Sequence, residues 1–325
     1  MHNFHERVFR PQHLVGEPTA HPLASSPAEK QDAIPDRAHF VYVVDGDHGD
    51  IRLDFSHALV VFAARYYWRP RGMLLHTNAG HEALSRARAG RSGKWTRIIL
   101  NLPEMTIRRV SAPTIADNGV PIRHVEHRSD FVRVQAVRHL GGVYLDFDAH
   151  VLRDIRPLLR AGFDAVAGRE ADDLLVSGVF MAKKGARLVD LWYDEMHRVY
   201  DGNWTTHSND AMTRIGQSLV SHPGEMLILD RAALAPGSWT KTDCSKLFRP
   251  HPDDDDEAWT LDYSDTYVLH AFSPRRARHQ IEGFAGITPA YVLANRSNFA
   301  RAVQPVARYM LERGLIDLDG SDLAV

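Results

Sequence analysis

The run Val143-Tyr144-Leu145-Asp146-Phe147-Asp148 sets two carboxylates one residue apart within an otherwise apolar, β-branched and aromatic stretch. Read as a strand, its side chains alternate faces, so Asp146 and Asp148 share one face while Leu145 and Phe147 anchor the other in the core. Carboxylates this close repel one another in a low-dielectric site unless a cation neutralises them, and hard oxygen ligands suit Mn2+ or Mg2+. Such a cation can bridge a pyrophosphate and stabilise a leaving nucleoside diphosphate. The bland alternative is a solvated strand end, because acidic pairs of this type recur by chance.

Context sharpens the reading. Asp130 and Arg133 lie three apart on the helix expected just before this strand, and so face the same way. Only Gly141-Gly142 separates helix from strand. A carboxylate acceptor for sugar hydroxyls, a guanidinium for phosphate or sugar oxygens and the acidic pair then share one pocket. Taken singly, Asp130 would be a charge on the helix dipole and Arg133 an ordinary exposed residue.

The elements that must position these groups follow from periodicity and punctuation. His39 to Val44, after Pro35 and before Asp45-Gly46-Asp47, reads as a first buried strand ending in a ligand loop. Ser56 is expected to cap a helix running toward Tyr67, stopped by Pro70 and Gly72. Met73 to Thr77 and Thr96 to Leu100 read as strands. Ser129 is expected to cap a helix from Asp130 to Leu140, which exits at the glycine pair into the strand Val143 to Asp148. Ala165 to Ala167, Leu174 to Ala182, Met226 to Leu229 and Tyr267 to Phe272 read as later strands. Ala186 to Tyr200, with Leu188, Leu191, Trp192 and Met196 inward, and Asp210 to Val220 read as helices. Pro289 to Arg313 reads as helical with a break near Pro305. The alternation of strand and helix argues for an α/β core with a mostly parallel central sheet and flanking helices.

At Ser129-Asp130, Arg133, Leu140-Gly141-Gly142, Tyr144, Asp146 and Asp148 the chain resembles the signature of glycosyltransferase family 32, a pattern shared with the large clostridial glucosylating toxins. Ile34-Pro35 and His39-Phe40-Val41-Tyr42 are similar to that family's opening strand, and Leu175 to Ala182 to a later segment facing the donor sugar. The resemblance spans residues 34 to 200 and fades beyond. It implies a glycosyltransferase A-type, Rossmann-like fold and metal-dependent, retaining transfer of a hexose from a nucleotide sugar, such as a UDP- or GDP-sugar. It also implies roles. Asp130 and Arg133 would contact the donor sugar, Tyr144 and Asp146 would lie near ribose or sugar, and Asp148 would ligate the metal with Asp146. Tyr42, with Val41, would hold the nucleobase, and Ser177 and Gly178 would face the sugar. Asn209 and Asp210, in His207-Ser208-Asn209-Asp210, would touch phosphate or sugar, although Ser208 or Asn209 serves equally as a helix cap. His270, in Tyr267 to Phe272, resembles a histidine that approaches the metal, with a core or ligand-supporting histidine as the alternative. Ser273-Pro274-Arg275 departs there from the family's tryptophan-bearing continuation.

The bulk properties agree with an ordinary globular enzyme. Of 325 residues, 44% are hydrophobic and 25% charged, enough for a sizeable core. Lys+Arg at 39 against Asp+Glu at 41 gives a net charge of -2, with no overall field favouring nucleic acid. Residues 1–33 read as a flexible leader lacking the apolar run of a signal peptide or anchor, and residues 34–325 as one domain with a C-terminal helical segment from about residue 288. The resulting expectation is a cytoplasmic enzyme whose acceptor is a glycan, a lipid or a small molecule. The lone Cys244 reads as a buried small apolar residue, the acidic run 253–257 as a solvated loop, and Arg275, Arg276 and Arg278 as facing solvent. Asn203-Trp204-Thr205 and Asn295-Arg296-Ser297 match the glycosylation pattern only by coincidence.

Two rivals remain at this stage. A haloacid-dehalogenase-like phosphatase also uses a strand-borne acidic triplet, but it wants Thr or Val where His150 stands. A non-catalytic nucleotide-sugar-binding module would keep the fold and lose the chemistry.

Overall fold

The computed structural model describes residues 33–46, 49–251, 259–274 and 278–316. The leader, the acidic run 253–257, Arg275 and Arg276 lie outside the described residues. The strand β1 (Ala38–Val41) feeds α1 (Phe55–Ala63), which continues as a π-helical turn to Trp68 and ends where Arg69 adopts a left-handed φ of 55°. There follow β2 (Met73–Thr77), α2 (His81–Arg88), α3 (Lys94–Leu100), β3 (Met105–Arg109) and α4 (Val125–Leu140). Next come β4 (Gly142–Leu145), β5 (Ala149–Val151), α5 (Arg156–Leu159), β6 (Ala165–Arg169), β7 (Leu175–Ala182), α6 (Arg187–Val199) and α7 (Ala211–Leu219). The chain closes with β8 (Met226–Leu229), α8 (Arg231–Leu234), α9 (Lys241–Phe248), β9 (Val268–His270), α10 (Pro289–Leu293) and α11 (Asn298–Glu312).

The central sheet has seven strands in the order β3-β2-β1-β4-β7-β6-β8. Pairings are parallel except where β7 runs against β4 and β6. The order β3-β2-β1-β4 is one half of a doubly wound sheet, whose strand order reverses between β1 and β4, and ligands of such sheets bind outside the strand ends at that crevice. Two cores flank the sheet. Phe40, Val143 and Leu145 pack toward α1, α9 and α11, whereas Val41, Tyr144 and Phe180 pack toward α4, α6 and α7. The mostly parallel sheet with flanking helices is therefore as expected. No helix among the described residues is long and apolar enough to cross a membrane.

Several local expectations are corrected. Thr96 to Leu100 is helical, because its buried residues Trp95, Thr96, Ile99 and Leu100 recur at the helical spacing. The strand in that part of the chain is β3, whose exposed Thr106, Arg108 and Arg109 suit a sheet edge. Asp54, not Ser56, caps α1, in a reciprocal arrangement with His57. Ser129 is not a cap either: α4 starts at Val125, and the Ser129 hydroxyl donates back to the Val125 carbonyl at 3.0 Å. Leu191 points outward at 43% exposure. The C-terminal helix breaks before Asn298, at a left-handed Asn295 and a Ser297 cap, and runs through Pro305. Cys244 is buried, and Arg278 is exposed, as expected.

Candidate active site

Strand β4 ends at Leu145, so the strand expected to reach Asp148 stops short and Asp146-Phe147-Asp148 forms a turn. The acids are thus gathered by the turn and not by strand alternation. The Asp146 amide donates to the Gly178 carbonyl of β7 at 2.8 Å, and the Ala149 amide returns to the Asp146 carbonyl at 3.0 Å. Beyond the turn β5 pairs antiparallel with β9, setting Ala149 opposite His270, and the Ala271 amide donates to the Asp148 carbonyl. That short ladder carries a histidine from far along the chain to the acids. Ligand atoms of Asp146, Asp148 and His270 all lie within 4.8 Å of one another. His270 Nε2 is 3.3 Å from Asp148 and 3.7 Å from Asp146.

Arg133 closes the other side. Its Nη2 lies 2.8 Å from Asp130 and 3.3 Å from Asp146, its Nη1 donates to the Ser177 carbonyl at 3.1 Å, and its guanidinium sits 4.7 Å over the Tyr144 ring. The Tyr144 hydroxyl donates to Asp146 Oδ1 at 2.5 Å. Burial pushes the Asp146 carboxyl up, but Arg133 and His270 outweigh it and hold the group below its ordinary range. Burial likewise disfavours a proton on His270, yet the carboxylates of Asp148 and Asp146 raise it to about 10. So many carboxylates around one imidazole demand compensating positive charge, whether proton or cation.

Asp130 is engaged at both oxygens, by Arg133 and, at 2.8 Å, by the Nε2 of buried His207. Tyr42 lies beside the turn, its ring 6.4 Å from Phe147 and its hydroxyl bonded to the backbone of Arg52. Val41 is buried in the core beneath α4. Ser177 and Gly178 line the site from β7, and a methyl on Gly178 would sit 2.4 Å from His270 Nε2. Asn209 caps no helix. Its amide donates to Glu170 Oε1 and the Leu175 carbonyl, and its Oδ1 accepts from Ser177 and Ser208, so its polar atoms are committed to holding β7. Asp210 accepts from Thr205 at 2.9 Å and stands apart from the acids' hydrogen-bond network. His150 turns into the core against Phe299.

Two groups escaped the sequence reading. His207 lay in a segment singled out for its neighbours, but nothing in the sequence pairs it with Asp130. Glu170, buried where β6 ends, carries a carboxyl that burial raises to about 7, opposed by His270, Arg231 and the Asn209 bond. A lone glutamate after a strand gives no signal of its own.

Over residues 96–164 the chain matches the family described as glycosyltransferase sugar-binding region containing DXD motif. Glucan organizing enzyme 1 of Cryptococcus neoformans var. grubii serotype A is 23% identical over 302 residues, covering 89% of this chain and 75% of that protein. Among solved structures, the PaToxG glycosyltransferase aligns with a TM-score of 0.40 at 12% identity, over 59% of this chain and 71% of its own. The glycosyltransferase GlyE of Streptococcus pneumoniae TIGR4 aligns with a TM-score of 0.43 at 11% identity, over 86% of this chain, which spans 65% of that structure's length. The matched region contains Asp130, Arg133, Asp146 and Asp148, the residues that converge in space, and the protein is a glycosyltransferase with a DXD-containing sugar-binding region.

Proposed function

We propose that this enzyme moves a hexose from a UDP- or GDP-sugar to a hydroxyl of a glycan acceptor, in a divalent-metal-dependent reaction that retains the anomeric configuration. The observation that carries the reading is the convergence of Asp146, Asp148 and His270 within 4.8 Å beside the Arg133 fork. Two carboxylates and an imidazole suit Mn2+ or Mg2+. Nε2 of His270 lies between the two carboxylates, 3.3 Å from Asp148 and 3.7 Å from Asp146, and the missing side chain of Gly178 leaves that nitrogen uncrowded. A bound Mn2+ or Mg2+ supplies positive charge against the departing nucleoside diphosphate.

The chain's own residues do the rest. Arg133 keeps Asp146 ionised and holds Asp130 in place as an acceptor for donor-sugar hydroxyls. With both oxygens already engaged, Asp130 suits that orienting role better than that of a base. Attack from the face the diphosphate leaves requires no separate water-activating carboxylate. Tyr42, beside Phe147 just after β1, would stack on the nucleobase. A glycan acceptor is favoured by the relative from Cryptococcus neoformans, whose name ties it to glucan.

The test is thermal unfolding with a panel of nucleoside diphosphates and nucleotide sugars, with and without Mn2+, in the parent chain and in Asp148→Ala. A ligand at a hundred times its Kd should add about 2.7 kcal/mol of stability. One diphosphate should stabilise the parent only with metal, and not stabilise the variant. Equal stabilisation of parent and Asp148→Ala would sink the reading.

A further inference from the structure

The segment between α6 and α7 places Trp204 with 53% of its surface exposed. A single exposed hydrophobic residue needs no explanation, but Trp204 heads a run of edge-on and tilted ring contacts that leads down to Asp130. Its indole lies 5.1 Å from the buried His127 ring and 6.5 Å from His124 at the start of α4. His127 lies 4.6 Å from His207, and His207 bonds Asp130. Phe131 and Tyr200 brace the stack from within.

The position also fits the topology. Because α4 enters β4 through a tight glycine turn and runs back along it, its first residues lie toward the carboxyl end of the central strand β4, where Asp146 leaves it. The ion pair of Arg128 with Asp45, just after β1, pins that end of α4 over the crevice. Trp204 therefore stands at the rim of the site, on the Asp130 side. Beneath it, Nε2 of His127 and Nδ1 of His207 are buried with no partner among the described residues. Burial lowers His127 to about 4, so near neutral pH the ring is uncharged, with Nδ1 already bonded to Tyr200 at 2.9 Å.

Resting on the glycosyltransferase reading above, we propose that Trp204 is the platform on which a pyranose ring of the acceptor stacks. A pyranose has an apolar C–H face and a rim of hydroxyls. An exposed indole offers a flat π surface with one polar edge, which matches both. The exposed His124 imidazole alongside can hydrogen-bond the hydroxyls, and the run of rings ends at Asp130, proposed above to orient the donor sugar. A second exposed tryptophan, Trp239, sits against Phe272 on the His270 side and makes no ring contact to the Asp130 stack. It serves as the comparison.

The test uses the full chain, with methyl β-D-glucopyranoside, cellobiose and maltose as probes and the donor found by the stabilisation panel. Trp204→Ala should raise the acceptor KM by about tenfold or more, equivalent to 1.4 kcal/mol, with a much smaller change in kcat. Trp204→Phe should recover most of that loss, and Trp239→Ala should not reproduce the split. Binding is also read without donor, as quenching of tryptophan fluorescence by the same sugars, and this quench should vanish in Trp204→Phe. No quench in the parent chain, an undiminished quench in Trp204→Phe, an unchanged KM in Trp204→Ala or a KM loss confined to Trp239→Ala overturns the platform. The donor-free arm does not depend on Asp148, so failure here is distinguishable from failure of the donor reading.

Discussion

Replacing Gly178 with alanine strikes at the space in which the acids and the histidine meet. The added Cβ would fall 2.4 Å from His270 Nε2, 2.7 Å from Asp146 Oδ2 and 2.9 Å from His270 Cδ2, all inside the 3.0 Å limit that real Cβ atoms respect. Gly178 is not among the residues of positive φ, so alanine meets no backbone strain and the cost is steric alone. Both crowded groups are proposed metal ligands, and each is fixed by a strand pairing or a backbone bond, so relief comes mainly by moving them apart. Overpacking of this kind costs about 1–3 kcal/mol, or roughly 2–4 °C of Tm per kcal/mol for a domain near this size. The fold should survive while the ligand set is spoiled. Thermal unfolding gives the first half of the answer, and Mn2+ titration by electron paramagnetic resonance gives the second. The expected result is a Tm lowered by several degrees together with loss of Mn2+ binding and of the metal-dependent gain from donor. A folded Gly178→Ala that binds Mn2+ and donor as the parent does would refute the assignment of this trio.

Two further outcomes follow from the site's electrostatics. The Glu170 carboxyl lies at about 7 against an ordinary 4.5, so as pH rises from 4.5 to 7 the unfolded chain ionises first and the fold loses stability. At higher pH the whole penalty, about 3 kcal/mol, persists. Glu170→Gln lacks this group, so its stability relative to the parent should climb across that window in denaturant melts, and a pH-independent difference would count against the assigned environment. Arg133→Lys keeps the charge but loses the fork that reaches Asp130, Asp146 and Ser177 together. Breaking so buried a network should cost about 3 kcal/mol and weaken donor stabilisation, and a Lys variant with the parent's melting and donor response would show that the fork is dispensable.

Much of the site could be read in one dimension because its parts are local in sequence. The three-residue spacing of Asp130 and Arg133 on a helix, the glycine pair and the acidic triplet lie within one helix-turn-strand unit, so periodicity alone put them together. Strands such as Met73–Thr77 and Leu175–Ala182 were legible because they are buried along their whole length. The apolar run ending at Leu100 was ambiguous by nature, since a short one fits strand or helix until its neighbours choose. β3 was missed because its alternation, Met105 and Ile107 against exposed Thr106 and Arg108, lasts only four residues before Arg109 interrupts it.

Residue type and local spacing were enough to nominate the groups proposed to bind a cation, a phosphate and a sugar. Only the tertiary structure decided which of them meet. It turned the chain after Leu145, so that a bend and not a pleat gathers the acids. It brought His270 to them on the β5–β9 ladder, His207 to Asp130 across 77 residues, and Trp204 against His127. Such contacts close long loops at an entropic cost that the burial of both cores offsets, and no local pattern records which distant partners that burial selects.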